Sequence, residues 1–430
     1  MKPVKKEKPP TIEAPQEPIV SPSTEPTAQA EKHLLLKTKE YLHNTYDIRF
    51  NVLTLDHEIK VKKDKVYSTL DDQIIDSIWM DLQLIGLKIS DKTLIKIFNK
   101  YNERFHPIQT YLNALSWNNK DYIGELAKTV TIQDIQIKHG EETFTLESLW
   151  RSYLEKWLVS SVACGMGGGT NQTCLVLAGG QGKGKTTWLN KLCPPDLKEY
   201  LVCSHINPQL TDNNTCNFLS EKWFVNVDDQ LETIFGKDFN SMKAVITAPF
   251  VTNRKAYAKL TKQRQRVCNF MASVNSTQFL TDSENRRYLC FLIDDIEFTH
   301  KVDIKGVWAQ AMTLYKAGRE YWFNQEEIKK LNSVNAIFTQ QTLEEEWIQL
   351  KFSACEPEHP SASFKMASEI LTEINISSGL KLFNLKKISS AMKKLGFHDP
   401  ISKRINGSDP RKVYPVLERS NVQSLFNKAV

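Results

Sequence analysis

At 430 residues, with 41% hydrophobic and 25% charged residues, the chain has the composition of a globular protein and length for two or three domains of ordinary size. No run of about 18 apolar residues is present, which argues against a membrane span, and the Lys-rich start lacks the apolar stretch of a secretory signal. The net charge of +6 is modest, and the eight cysteines form no CxxC pair, so neither a zinc knuckle nor a disulfide framework is indicated and reduced thiols in a cytoplasm are expected.

Residues 1–32 hold seven of the 17 prolines and no aromatic residue, the composition of a disordered tail. Residues 33–135 read as an accessory region, mostly helical. Leu34 to Tyr46 has helical spacing, Tyr46 to Lys62 looks extended, and Ser90-Asp91 is placed to cap a helix through Phe98. From Leu146 the apolar residues Leu149, Trp150, Tyr153, Leu154, Trp157 and Leu158 follow the period of a buried helix face, so these tryptophans read as core. Gly165 to Gly169 ends that helix. Four runs of strand length follow: Cys174 to Ala178, Trp223 to Val227, Cys268 to Val274 and Tyr288 to Ile293. Interleaved with helical stretches, they imply an α/β core with a mostly parallel sheet over residues 136–330. Residues 331–430 form a basic C-terminal region. Its last 70 residues hold 12 Lys/Arg against five Asp/Glu. Met366, Ile370 and Ile374 mark one helix there, and Leu385, Ile388, Met392 and Leu395 a second. The turn signals Asn406-Gly407 and Asp409-Pro410 then suggest a hairpin, and the order fits a winged-helix-like domain.

The strongest local signal is Gly179-Gly180-Gln181-Gly182-Lys183-Gly184-Lys185-Thr186, a full GxxxxGK[ST] match between a strand and a helix. Glycines let the backbone N–H groups wrap a phosphate. Lys185 would reach the β- and γ-phosphates of ATP, Thr186 would hold Mg²⁺, and Thr187 would follow in the opening turn of the helix. The strand ending in Trp223 to Val227 runs into Asp228-Asp229. Asp228 would support the metal, and Asp229 would orient or deprotonate the attacking water, with Glu232 as an alternative base. The strand Cys268 to Val274 ends at Asn275, a polar group placed to sense the γ-phosphate. Arg286 and Arg287, ahead of the last strand, could stabilise charge on the transferring phosphoryl group. Arg254 to Arg266 contains six basic residues and no acidic one, a surface suited to a phosphate backbone or to plain solvation.

Taken in order, LVLAGGQGKGKTT, KWFVNVDD, NRKAYAKL and RVCNFMASVNSTQFLTDSENRRYLCF resemble the virulence-associated protein E family, P-loop proteins of phages and plasmids related to superfamily-three helicases within the AAA+ class. The resemblance covers roughly residues 100–300, with HPIQTYLNALSW ahead of the core. It implies an ATPase that closes into a ring of identical subunits, a hexamer being the candidate size. Each site would then take Arg286 or Arg287 from a neighbour. It further implies that the segment holding Arg254, Lys255, Tyr257, Lys259, Lys262, Arg264 and Arg266 is a hairpin pointing into the pore. Cations there would track a single strand's phosphates, and Tyr257 would stack on a base or pack beneath the hairpin. Family members often carry a primase–polymerase domain upstream; here any primase would be a separate protein. Asp229 stands where Glu is more usual.

The expected activity is therefore an ATP-dependent DNA helicase of a mobile element's replication machinery, acting on single-stranded or forked DNA, with Leu385 to Leu395 as a groove-binding helix. One alternative is a DNA-binding initiator or regulator that ATP switches without unwinding. A small-molecule kinase is disfavoured by the paired carboxylates, Asn275 and the arginines.

Overall fold

The computed structural model describes residues 25–101, 103–234, 236–253, 261–281, 285–379, 384–404 and 409–419. The chain divides into two compact units, at residues 114 and 115. Among the described residues no helix is long and apolar enough to cross a membrane.

The first unit opens with α1 (Glu25–Thr45). Its first eight residues fall in the stretch expected to be disordered, and they are helical instead. The physical reason is local: Ala, Gln, Glu and Lys are good helix formers, and the one proline, Pro26, sits in the first turn where it costs little. The strands β1 (Tyr46–Asn51) and β2 (Asp56–Val61) pair antiparallel, with Tyr46 opposite Val61, as the extended reading of this stretch requires. Next come β3 (Ser68–Thr69), α2 (Asp72–Leu84), α3 (Asp91–Phe98), β4 (Arg104–Phe105) and α4 (Pro107–Asn113). Ser90 does cap α3, accepting from Thr93 N–H. Helices make up most of the unit's regular structure, beside a four-stranded sheet in the order β3-β2-β1-β4. Leu42, Ile48, Ile59, Leu82, Leu94 and Phe98 form its core.

In the second unit α5 (Tyr122–Ala127) leads into β5 (Val130–Ile132), the hairpin β6 (Gln136–His139) and β7 (Glu142–Thr145), and α6 (Leu146–Met166). Thr145 caps α6, and Gly167 ends it in the left-handed conformation that glycine adopts without steric cost. Then follow β8 (Cys174–Ala178), α7 (Lys185–Lys191), a 3₁₀ turn, β9 (Leu201–Cys203), α8 (Asn213–Glu221), β10 (Phe224–Asn226), α9 (Gln230–Thr233) and α10 (Gly236–Thr247). A two-stranded hairpin, β11 (Phe250–Asn253) with β12 (Lys262–Gln265), precedes β13 (Asn269–Val274) and β14 (Tyr288–Ile296). The central sheet has the order β5-β14-β8-β13-β10-β9. Its last five members run parallel, and only β5 is antiparallel. β5 precedes residue 136, where the core was expected to begin, because its pairing with β14 draws it into the sheet.

The sheet strands are nearly continuous apolar runs because both faces are covered. On α6, Trp157 is fully buried and stacks on Phe224, and Trp223 lies 4.6 Å from Trp308. The tryptophans are core, as their spacing implies. The chain continues through α11 (Ile304–Lys316), α12 (Gln325–Ala336), α13 (Leu343–Lys351), β15 (Phe352–Ala354), β16 (Ser363–Lys365), α14 (Ala367–Ser378), α15 (Leu385–Lys394), β17 (Ile401–Lys403) and β18 (Arg411–Glu418). Of the seven residues whose spacing marks the two helices, Ile370, Ile374, Ile388 and Met392 are fully buried, Met366 and Leu395 are half-buried, and Leu385 is exposed because it opens α15. β17 and β18 form an antiparallel hairpin, and the Asn406-Gly407 turn lies outside the described residues.

Candidate functional site

The phosphate loop spans the gap between the end of β8 and the start of α7. Gly182 and Gly184 have φ of 81° and 84°, in the region where a side chain is strained. A Cβ on Gly184 would also collide with the ring of Phe298. Gly179 admits no Cβ either, because Ile293 Cγ1 and O lie 2.9 and 3.1 Å from where it would sit. The sequence can therefore make this loop only with glycine at these points. Lys183 closes its outer side by donating to Ile293 O (3.3 Å) and Asp294 O.

Lys185 begins α7 and is 5% exposed. Its ammonium donates to Gly179 O (2.7 Å), Gly180 O (2.8 Å) and Asn275 Oδ1 (3.0 Å). Burial lowers its pKa, while Asp229, Glu232 and Asp228 pull the other way. Asn275 in turn donates from Nδ2 to Asp229 Oδ1 (3.0 Å). A second chain runs parallel to this one. Thr186 Oγ1 donates to Asp228 Oδ1 (2.8 Å), Ser273 donates to the same oxygen, and the two hydroxyls are 2.9 Å apart. The three strands that deliver these groups, β8, β13 and β10, are adjacent and parallel, so their carboxyl ends converge, the usual ligand side of an open α/β sheet.

The carboxylates are not equivalent. Asp229 has φ 53°, a left-handed geometry that Asp tolerates at a cost of order 1 kcal/mol. Its N–H donates to Ser273 O (3.0 Å), which pins the turn against β13. Burial raises the Asp229 pKa, with Asp228 and Glu232 adding to the rise, while Lys185 and His205 oppose it. Glu232, the alternative base, accepts the backbone N–H groups of Asn275 and Ser276. It is committed to holding the loop after β13, which leaves Asp229 as the carboxylate facing the lysine and Asn275.

Two neighbours escaped the sequence reading. Ser273 is a lone hydroxyl in an apolar strand, two residues before Asn275, and that interruption was the available signal. His205 Nε2 lies 2.9 Å from Asp228 O, a contact that depends on β9 lying beside β10 and leaves no local trace.

The donor set fits a hard cation of the kind ATP brings. One hydroxyl and one carboxylate offer oxygen ligands, and Mg²⁺ commonly takes one or two protein oxygens plus phosphates and water. Among the described residues no group of three His, Cys, Asp or Glu could hold a metal unaided.

Arg286 and Arg287 are not part of this cluster. They precede Tyr288, which pairs with Cys174 at the start of β8, whereas the phosphate loop leaves β8 at its other end. Five strand residues at roughly 3.3 Å each put about 17 Å between the two ends. Arg286 is exposed and lines a cavity of about 140 Å³ with Asn171, Tyr321, Trp322 and Phe323. The Arg287 Nε is buried with no hydrogen-bond partner.

The basic segment divides. Arg254, Lys255, Tyr257 and Lys259 lie outside the described residues. The stem is present as β11 and β12, with Asn253 opposite Lys262. Two of its cations are structural, which corrects the reading of the whole cluster as a contact surface. Arg264 pairs with Glu221 at 3.0 Å. Arg266 is fully buried, donating to Cys268 O (2.9 Å), Ile246 O and Asn171 O (2.8 Å). In the C-terminal region Lys387 and Lys394 of α15 are likewise engaged, by Glu344 and Glu345 of α13. Lys386 and Lys393 remain exposed on that helix.

A family model described as the virulence-associated protein E-like domain matches residues 112–340. A search of curated proteins finds no match. Among solved structures, the apo structure of the NrS-1 C-terminal region (305–718) is similar at 13% identity, over 90% of this chain and all of that one, with a TM-score of 0.45. Its A form is similar at 11% identity, with the same coverage and a TM-score of 0.47.

Proposed function

The chain belongs to the virulence-associated protein E-like family of P-loop ATPase domains, and on that premise we propose that it is a ring-forming, ATP-driven DNA motor of a mobile element's replication machinery. Nucleotide binding follows from the family.

The observation that carries the reading is the pair of hydrogen-bonded chains at one end of the sheet, set against two arginines at the other. In the proposed reaction Lys185 exchanges the carbonyls of Gly179 and Gly180 for β- and γ-phosphate oxygens. Thr186 and Asp228 would hold Mg²⁺, which would supply positive charge to the phosphates. Asn275 and Asp229 position a water, and Asp229 takes its proton. Arg286, with Arg287 behind it, is too far from its own loop to reach the γ-phosphate, so a second copy must supply that charge. A contact joining opposite ends of one molecule to the next is head-to-tail, and it closes into a ring when the rotation permits. The β11–β12 hairpin would carry the tip residues Arg254, Lys255, Tyr257 and Lys259 to a single strand, and the module of α14, α15 and the β17–β18 hairpin would add duplex contacts of winged-helix type.

The test is strand displacement on a forked duplex with ATP and Mg²⁺, beside ATP turnover with and without single-stranded DNA. Lys185→Ala should lower turnover by about 100-fold or more while DNA binding at low salt survives. Turnover should also fall on the acid side through a pKa above the ordinary carboxylate value, because Asp229 must be ionised to act. Turnover and DNA binding without displacement would favour the second reading, an ATP-switched initiator, which the surplus of cations in residues 361–430 supports.

A further inference from the structure

The groups that handle the γ-phosphate all lie to one side of the phosphate loop. Asp228 and Asp229 follow β10, Ser273 lies in β13 and Asn275 just after it; both strands are on the same flank of β8. A nucleoside triphosphate is a linear chain. With its γ end on that flank and its α-phosphate at the opening turn of α7, the nucleoside must leave toward the other flank, where β14 lies. The segment that ends and follows β14 runs along the loop there. Ile293 abuts Gly179, the carbonyls of Ile293 and Asp294 receive Lys183, and Phe298 lies against Gly184.

Phe298 is 39% exposed. Its N–H donates to Ile296 O (3.0 Å), Glu297 N–H to Thr129 O (2.8 Å), and His300 N–H to Glu297 O (3.1 Å). The ring is thus presented beside the last glycine of the loop by a backbone tied to the sheet edge. Packing alone would favour covering it.

We propose that Phe298 is the nucleobase platform of this site, stacking on the base of a bound purine nucleoside triphosphate. This rests on the phosphate-loop reading above. Stacking recognises a π-face, and every base has one. The site therefore accepts ATP and GTP with similar affinity, and its grip on the base resides in one aromatic side chain.

The experiment is calorimetric titration of the full chain with ATP, GTP and inorganic tripolyphosphate, the last keeping the phosphates and lacking the base. Phe298→Ala should weaken ATP and GTP binding about tenfold each, with the loss falling on KM rather than kcat, and leave tripolyphosphate binding as in the parent. Phe298→Trp should restore the nucleotide affinity, while Phe298→Leu, which keeps apolar bulk against Gly184, should not. Parental ATP affinity in Phe298→Ala would overturn the proposal, as would an equal loss of tripolyphosphate, which would make the ring a mere support for the loop. Lys185→Ala separates the two levels: it should lose tripolyphosphate and ATP together, and unchanged tripolyphosphate binding there would overturn the phosphate-loop reading itself.

Discussion

The two ends of the central sheet differ in how their polar groups are satisfied. At the carboxyl ends of β8, β10 and β13, Lys185, Thr186, Asp228, Ser273 and Asn275 are each hydrogen-bonded to one another or to the loop. At the amino ends, Arg286 is exposed beside a cavity, Trp322 is 57% exposed, and the Arg287 Nε has no partner although it is buried. One end is complete except for its ligand. The other holds an exposed guanidinium, and among the described residues the buried Arg287 Nε has no hydrogen-bond partner, a costly arrangement. The proposed division of the site between two copies would account for both.

The sharpest way to break that comparison is a mixing experiment. Arg286→Ala alone should lower ATP turnover by about 1,000-fold, the scale of a lost arginine finger, while leaving ATP binding near the parental level. Lys185→Ala should be inactive for a different reason. In a mixture of the two variants, an intact loop from one can face an intact arginine from the other, so turnover should recover to a measurable fraction of the parental rate. Two inactive proteins that remain inactive when mixed, under conditions where they co-assemble, would mean that Arg286 serves its own subunit or none.

A second prediction sharpens the contrast between cations that look alike in sequence. Arg266 sits in the same basic run as Arg254 and Lys255 but is buried and saturated by main-chain carbonyls. Arg266→Leu strips donors from Cys268 O, Ile246 O and Asn171 O, so it should cost about 3 kcal/mol of stability. Lys262→Ala, at an exposed stem position, should stay within about 0.5 kcal/mol. Chemical denaturation reads both directly. A stable Arg266→Leu protein would contradict the buried network.

This pair shows where the sequence was legible and where it was not. Short-range information was enough for the phosphate loop, since strand, glycines, lysine and threonine are consecutive. It was also enough for β8, for α6 and for the buried faces of α14 and α15, whose periodicities are local. The order of strands was not readable, and with it went Ser273, His205 and Phe298, each of which meets the site only because β13, β9 and β14 take particular places beside β8 and β10. Whether a basic residue is solvated or buried has no signature in its neighbours along the chain, so Arg264 and Arg266 were grouped with the hairpin tip. In the first unit the extended stretch Tyr46 to Lys62 was legible as β1 and β2, whereas β3 and β4 are two residues each, too short to carry an alternating pattern.

The smallest expected effect sets the complete end of the sheet against its own stability. Four charged groups face Asp229. Asp228 and Glu232, along with burial, raise its pKa, while Lys185 and His205 lower it, and the net shift is upward. A carboxylate whose pKa is higher in the folded state than in the unfolded chain contributes stability only when protonated. That contribution is full below the unfolded value of about 3.9 and is lost as pH rises through the folded value. At neutral pH the ionised Asp229 is therefore a net cost to folding, one that the proposed activation of the attacking water would require. Asp229→Asn, which removes the charge at nearly constant shape, should lose turnover yet melt slightly higher than the parent at pH 7. The gap should close as the pH is lowered through the raised folded value, below which the parent's Asp229 is protonated as well. A melting temperature that falls at pH 7 would mean that Asp229 is held chiefly by its attraction to Lys185, and would make it a structural partner of the lysine rather than a base kept poised against its neighbours.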